Sequence, residues 1–209
     1  MIGVLLAAGF SRRFGQTNKL LHVLPEGLSI GLTSAKNLIN ALPVSVAVVQ
    51  PDSYELAEQL ESAGLKVVTC KIEQGMAYSV ATAIRHAGMF AESGDGFVIA
   101  LADMPFIRSA TIEMVANRLS QGYRIVLPTY LGTRGHPVGF AEKLRGELEQ
   151  LQGDEGARSI IKRHRDTVHA FECEDPGILA DIDTRADLTV GKFNLAMQRL
   201  SVNLGSEMR

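Results

Sequence analysis

Cysteine is scarce in this 209-residue chain. Cys70 and Cys173 are the only two, and neither has a CxxC neighbour or a histidine at metal-ligand spacing. That argues against a thiolate metal centre, and the expected reading is two buried, reduced thiols in a cytoplasmic protein. Long apolar runs are missing as well: hydrophobic residues make up 46% of the chain, yet none of their runs approaches the ~20 residues of a membrane span. Charge of one sign is not in surplus. Lys plus Arg number 21 against 23 for Asp plus Glu, a net charge of -2, so no global field draws the protein to nucleic acid or to a membrane. Any attraction for phosphate must be local. In MIGVLLAAGFSRRFG the apolar stretch precedes the basic residues, the reverse of a secretory signal, and reads as a first strand. No linker, repeat or low-complexity tract divides the chain, and the length suits one domain, residues 1–209.

What is present is an alternation. Short apolar or β-branched runs at 2–8, 44–49, 66–69, 96–102 and 124–128 predict strands, and amphipathic stretches at 28–41, 53–63, 78–90, 108–121 and 141–151 predict helices between them. The strand candidates lack polar alternation, so they belong in a sheet covered on both faces. The expected fold is α/β: a single three-layer α/β/α domain with a mostly parallel, Rossmann-like sheet. Asp52 or Ser53 is the expected cap of the second helix, and Arg108 or Ser109 opens the fourth. Beyond 152, GDEGARSIIKRH reads as a capped short helix, VHAFEC as a strand, ILADIDT as a strand or loop, and 184–204 as a closing helical segment.

The densest signal is LLAAGFSRRFGQTNKLL. A buried strand runs into a loop of small residues, Ala7, Ala8 and Gly9, whose backbone N–H groups can approach a triphosphate closely. Arg12, Arg13 and Lys19 then offer cations to its oxygens; the competing reading is a solvated basic turn. Neither GxxxxGK[ST] nor GxGxxG is present, which excludes Walker-type and Rossmann dinucleotide loops. In GFVIALADMPFI, Asp103 falls at the carboxyl end of an apolar strand that Pro105 terminates, where ligands of open α/β sheets gather. A carboxylate facing a triphosphate there suits Mg²⁺; the alternative is a cap for the helix near 108. Asp181 and Asp183 in ADIDTRADL fall on one face, and alternation alone does not choose between them, while Asp187 reads as a cap or an exposed residue of the next helix. Ser79 in EQGMAYSV lies near a helix start and has a cap as its alternative role. His136 in TRGHPVGF and Arg158 in GDEGARSI can equally serve structure. No Ser/His/Asp or Cys/His constellation is evident.

The spacing AAGxSxRxGxxNK resembles the nucleotidyltransferases typified by the molybdenum-cofactor family, with sugar-nucleotide pyrophosphorylases and cytidylyltransferases as wider relatives. The resemblance covers 2 to about 188, most strongly in LAAGFSRRFGQTNKLL, LADMP and GHPVGF. It implies a sheet of the nucleotide-diphospho-sugar transferase type, a nucleotide-binding half at 1–105, an acceptor half at 106–190 and a C-terminal helical segment at 191–209. It further implies that Leu6, Ala7, Ala8, Gly9, Arg12, Arg13, Gly15, Lys19, Gly75, Ala77, Ser79 and Asp103 bind the nucleotide. Lys19, Arg13 and Asp103 would be catalytic. Asp103 and Asp183 would hold Mg²⁺, the choice of Asp183 over Asp181 resting on the family's Asp/Asn-Thr pattern. Gly135, His136, Pro137 and Arg158 would face the acceptor. The activity implied is transfer of a nucleoside monophosphate to a phosphate-bearing acceptor, molybdopterin, with release of pyrophosphate and with a molybdoenzyme or its chaperone as a further partner. The LAAG loop and GHPV look like the cytidylyl branch, since guanylyl relatives usually carry Gly where this chain has Ala8; CTP is the expected donor and GTP the alternative. Tyr78 stands where relatives have small residues, and a Gly-Lys-Pro-like turn common after Lys19-Leu20-Leu21 is replaced by HVLPEG. From other classes, a nucleotide-dependent oxidoreductase lacks its fingerprint, and a catalytically silent binding module would not need Lys19, Asp103 and Asp183 together.

Overall fold

The apolar runs become strands because both of their faces are covered. The computed structural model describes residues 1–9, 14, 18–70, 75–89, 94, 96–153 and 156–188. Strands β1 (Ile2–Leu6), β2 (Ser45–Val49), β3 (Lys66–Thr69) and β4 (Gly96–Leu101) lie parallel in the order β3-β2-β1-β4. Along them alternate residues enter different cores: Ile2, Val4, Val46, Val48, Phe97 and Ile99 join one apolar cluster, while Leu5, Ala47, Val49, Val98 and Ala100 join the other. Helices α1 (Ile30–Ala41), α2 (Tyr54–Ser62) and α4 (Ser109–Ser120) cover one face. Helices α3 (Gly75–Ala87), α5 (Arg145–Glu149) and α6 (Arg158–Arg163) cover the other. These are the three layers expected.

The sheet continues through β7 (Val138–Ala141), antiparallel to both β4 and β5 (Ile125–Tyr130); the short β6 (Thr133–Arg134) closes a hairpin on β5. Strand β8 (Val168–Glu172) pairs in parallel with β5, so the C-terminal third completes the same sheet. Between the pairs Val126–Gly139 and Thr129–Arg134, β5 has two residues and the returning strand has four. Gly135, His136 and Pro137 occupy this bulge, which leaves the hairpin and turns the His136 N–H onto the carbonyl of Ile178, 3.0 Å away. A side chain at Gly135 would place its Cβ 2.4 Å from that same carbonyl oxygen.

Helix α6, expected to be capped, has Ala157 at its cap position and no side-chain cap bond, and three other helix starts carry features that the local sequence does not encode. Ser53 occupies the cap position of α2, but its ψ of 53° is not the extended conformation that aims a hydroxyl at the first turn, and neither it nor Asp52 forms a cap bond. Helix α4 opens at Ser109 with Arg108 before it, as expected, but the Arg108 side chain does not cap it. The cap arrives from 67 residues away: Asp175 Oδ2 accepts from the Arg108 N–H at 2.9 Å and the Thr111 hydroxyl at 2.6 Å. The third, α3, begins at Gly75, with φ of +83°, three residues earlier than its apolar period suggests. The predicted helix at 141–151 is a single tight turn at Glu142–Leu144 followed by α5. ILADIDT holds a tight turn at Pro176–Leu179 and then runs outside the sheet. Of the closing segment at 184–204, residues beyond 188 lie outside the described residues.

Candidate active site

Three segments far apart in sequence meet beyond the carboxyl ends of β1 and β4. Asn18 caps a tight turn at Lys19–Leu21, its Oδ1 accepting from the Leu20 N–H at 3.0 Å, and so delivers Lys19 inward. Lys19 Nζ donates to Asp103 Oδ2 at 2.8 Å and to Asp183 Oδ1 at 2.9 Å. The lysine side chain is 6% exposed, against 24% for Asp103 and 35% for Asp183. Burial pushes the Lys19 pKa down, but the hydrogen bond and charge of Asp103, then those of Asp183, outweigh it and leave the ammonium above its ordinary 10.5. Asp183 is the aspartate of ADIDT that reaches the lysine, while Asp181 is exposed.

Backbone contacts fix this geometry. The Ile182 N–H donates to the Asp103 carbonyl at 2.9 Å, tying the two aspartate segments together. Asp187 Oδ2 accepts from the N–H groups of Asp183 and Thr184 at 3.0 and 2.6 Å and from the Thr184 hydroxyl at 2.9 Å. Thr184-x-x-Asp187 has the spacing of a capping box and makes its returning bond, from the Thr184 N–H to the Asp187 carboxylate, which sets the turn presenting Asp183. The Thr184 bonds hold the Asp187 carboxyl below its usual range.

In the first loop, Leu6 lines a cavity described below and Ala7 donates its N–H to Val48. Ala8 is buried in the apolar cluster that includes Cys70, Ala77 and Val80. Gln50, at the end of β2, donates through Nε2 to the carbonyls of Ala8 and Gly9 at 3.0 and 3.4 Å. A side chain at Gly9 would meet nothing within 4 Å, so the backbone there is open to close approach. Arg12, Arg13 and Gly15 lie outside the described residues. Phe14 is buried in the core, edge-on to His22.

At the start of α3, Gly75 is followed by Ala77, which is fully buried and donates its N–H to the carbonyl of Gly153. Ser79 lies inside the helix, so the cap alternative for it is overturned; its buried hydroxyl sits 3.6 Å from the Cys70 thiol. Tyr78 is half-buried and packs against the core.

Across the sheet from the first loop, the bulge carrying His136 forms one wall of a cavity of about 250 Å³ between α3 and α6. Leu6, Val80, Ile99, Leu127 and Val138 line it, with Gly135, His136, Arg134 and Arg158 also at its walls. Pro137 is buried behind them. Burial, opposed by the Asp103 charge and assisted by that of Arg158, pushes His136 from its ordinary 6.5 down to about 4, so the imidazole is neutral at pH 7. Its Nδ1 is buried with no hydrogen-bond partner among the described residues. Sequence reasoning missed Gln50, Asp175, Met76 and Arg134. Only the cap by Asp187 had a local signature, the T-x-x-D spacing.

Among the described residues no group of three or more His, Cys, Asp and Glu side chains is placed to hold a metal, and no helix is long and apolar enough to cross a membrane. Residues 3–168 match the MobA-like NTP transferase domain. The chain is 31% identical over 194 residues to the purine catabolism protein PucB of Bacillus subtilis, covering 88% of this chain and 92% of that one. It is 34% identical over 157 residues to a probable molybdenum cofactor guanylyltransferase of Thermococcus sibiricus, covering 72% and 75%. The crystal structure of Rv0371c from Mycobacterium tuberculosis superposes with a TM-score of 0.71 at 25% identity, over 89% of this chain and 94% of that one. The same mycobacterial protein has been solved in complex with manganese, with a TM-score of 0.70 at 22% identity, over the same shares of the two chains.

Proposed function

This chain belongs to the MobA-like NTP transferase family and is a nucleotidyltransferase; within that family, we propose, it transfers CMP from CTP to the terminal phosphate of molybdopterin in a Mg²⁺-dependent reaction that releases pyrophosphate. The observation that carries the reading is Lys19, held between Asp103 and Asp183 at the ligand-binding end of a parallel sheet. Residues 1–105 then serve the nucleotide and 106–190 the acceptor. A molybdenum-cofactor acceptor is supported by the name of the Thermococcus relative, and a divalent metal by the manganese complex of the mycobacterial protein.

The residues present fit a hard cation. Two carboxylates converge on one ammonium within hydrogen-bond distance, which is the donor set of an ion that takes one or two carboxylates and completes its shell with phosphate oxygens and water. Asp103 and Asp183 would hold it, and it would neutralise charge on the α-phosphate and the departing pyrophosphate. Lys19 would then turn its ammonium to the triphosphate oxygens, which follow the open backbone at Ala7, Ala8 and Gly9. The acceptor phosphate is already ionised at neutral pH, so no general base is needed and the site acts by alignment and charge stabilisation.

GTP is the second reading, favoured by the guanylyltransferase name of the Thermococcus relative. CTP is favoured by Ala8, whose methyl group thickens the floor where guanylyl relatives carry glycine. Pyrophosphate release with each of the four NTPs, with Mg²⁺ and with or without molybdopterin, tests the whole. Release with CTP dependent on molybdopterin is expected, exceeding that with GTP by roughly tenfold to a few hundredfold, the range open to pocket contacts of this size. Predominance of GTP would overturn the donor, and release indifferent to molybdopterin would overturn the acceptor.

A further inference from the structure

Helix α1 carries two polar side chains that its own folding does not call for. Its buried face is apolar at Ala35 and Leu38, yet the same face holds Ser34, which is 5% exposed, and the half-buried Asn37 lies one turn further on. Serine and asparagine are both poorer helix formers than alanine, so local structure does not ask for either. What they touch is the turn after β4. The Ser34 hydroxyl donates to the carbonyl of Ala102 at 2.8 Å, closer than the 3.2 Å that separates it from the Ile30 carbonyl of its own helix. Asn37 Nδ2 donates to the carbonyl of Pro105 at 3.0 Å. Among the described residues no backbone N–H reaches either carbonyl. The segment bearing Asp103 is thus held on both sides by α1.

The first turn of the same helix holds the opposite partner. The Ile30 N–H donates to the carbonyl of His22 at 2.9 Å, and the His22 N–H donates in turn to the carbonyl of Lys19 at 3.1 Å. At Gly31 an added Cβ would lie 3.3 Å from both the Cβ and the carbonyl oxygen of Leu20, so the absence of a side chain there lets the Lys19–Leu21 turn lie against the helix. Glycine is a poor helix former, and this close approach accounts for it. From Ile30 to Asn37 the helix rises by roughly 10 Å, a length fixed by its backbone hydrogen bonds in a way that no loop could match.

We propose that Ser34 and Asn37 are positioning residues for nucleotidyl transfer: α1 is a bar that carries the Lys19 turn on its first turn and the Asp103 segment further along, and so sets the spacing of ammonium and carboxylate before substrate arrives. The inference rests on the reading of Lys19 and Asp103 as groups of the transfer site. Both side chains act through backbone carbonyls, so losing either bond frees one side of the Asp103 segment and leaves every charged group in place. The first-loop backbone proposed for the triphosphate is held separately, by Gln50. The loss therefore falls on kcat and spares the KM of the donor.

The test uses the full chain carrying Ser34→Ala or Asn37→Leu. Leu148→Ala, which truncates a fully buried side chain of α5 on the other face of the sheet, is the control for lost stability. In EDTA without nucleotide, the heteronuclear NMR signal of the Lys19 ammonium, assigned by its loss in Lys19→Met, reports the bonds of that group to the carboxylates. With CTP, Mg²⁺ and molybdopterin, pyrophosphate release gives kcat and the KM for CTP. Each α1 variant is expected to move or broaden the Lys19 signal and to lower kcat by roughly tenfold to a hundredfold, the cost of misplacing a reacting group by up to ~1 Å, with the KM for CTP little changed. Gly31→Ala, pressing on Leu20 from the other end of the bar, should move the same signal. The control should melt earlier and leave the signal and kcat at their wild-type values. If Ser34→Ala and Asn37→Leu behave like the control, or if the signal and kcat do not change together, the proposal is overturned. A wild-type protein that releases pyrophosphate with none of the NTPs sinks the transferase reading, and the Lys19 signal alone then decides whether α1 sets this geometry.

Discussion

Replacing Lys19 by methionine keeps the volume of the side chain and deletes its charge, and the consequence follows from the geometry. Two charge-assisted hydrogen bonds are lost, each worth ~1.5–3 kcal/mol when well formed. Asp103 and Asp183 keep 24% and 35% exposure, so solvent screens both and the net destabilisation comes down to about 2–3 kcal/mol. For a domain of this length, a loss of that size lowers Tm by roughly 4–12 °C. A second effect has the opposite sign. In the wild-type protein the ammonium bonds both carboxylates, and the metal ion proposed for them must compete with it; in Lys19→Met that competitor is gone, and millimolar Mg²⁺ should recover part of the loss by binding the folded state. Thermal unfolding in EDTA and in Mg²⁺, for wild type and variant, measures both. The expected pattern is a lower Tm in EDTA with a larger Mg²⁺ increment in the variant than in the wild type. An unchanged Tm in EDTA, or equal Mg²⁺ increments, would refute the view that Lys19 and the metal answer to the same two carboxylates.

Asp103→Asn and Asp183→Asn should each lower metal-dependent pyrophosphate release by on the order of a hundredfold or more, as loss of a preorganised charge-stabilising contact does, with circular dichroism unchanged; release at the wild-type rate removes that residue from the site. Asp175→Ala strands the Arg108 N–H, the buried Thr111 hydroxyl and the Gly177 N–H. Urea unfolding should show a loss of about 2–4 kcal/mol, and a loss below ~1 kcal/mol would show the long-range cap to be idle. For His136, the unfolded chain takes up a proton near 6.5 and the folded one only near 4. Between those values the unfolded state binds more protons, so stability falls as pH drops through the window and the histidine contributes no slope outside it. The pH dependence of urea unfolding in His136→Gln, subtracted from that of wild type, should isolate this slope; a difference that is flat from pH 6.5 to 4 would show the imidazole to be solvated.

The sheet was legible because burial on both faces writes itself as continuous apolar runs in IGVLL, SVAVV and GFVIAL, where β1, β2 and β4 lie, while the exposed edge strand β3 followed from the β-branched pair in KVVT. Helix periods were legible for the same reason, but their starts were not. Asp175 caps α4 from another segment, and no local pattern encodes a partner 67 residues away. Gly75 opens α3 through a positive φ, which an amphipathic period cannot register. In the site, Asp103 was readable from its place after an apolar strand, whereas alternation left Asp181 and Asp183 equivalent. The structure separates them through a clamp of two parts: Ile182 donates to the Asp103 carbonyl, and the Thr184–Asp187 box bends the chain so that Asp183 alone returns to Lys19. Leu6, Gly135, His136 and Arg158 were singled out in the sequence, but the cavity they share was not legible, because its walls come from seven different elements and its neutral histidine depends on a bulge that only the pairing of β5 with its returning strand reveals.

In the function proposed, the described segments that meet phosphate are loops, and loops are the least rigid parts of such a fold. Each of the segments bearing Lys19, Asp103 and Asp183 is nevertheless fixed by a side chain or backbone group that touches no substrate in the reading given above. Asn18 turns Lys19 inward, Ile182 fastens the Asp183 segment to the carbonyl of Asp103, and Asp187 folds the turn at 184. Gln50 does the same for the backbone of Ala8 and Gly9. Preorganisation of this kind places charge before substrate arrives, so the cost of ordering the loops is met on folding and not at the moment of reaction. It also means that the site depends on residues without chemistry of their own. A substitution at Gln50 or Asp187 would leave every phosphate-facing group in place and still loosen the geometry on which transfer depends, because a misplacement of about 1 Å in a reacting group costs on the order of a hundredfold in rate.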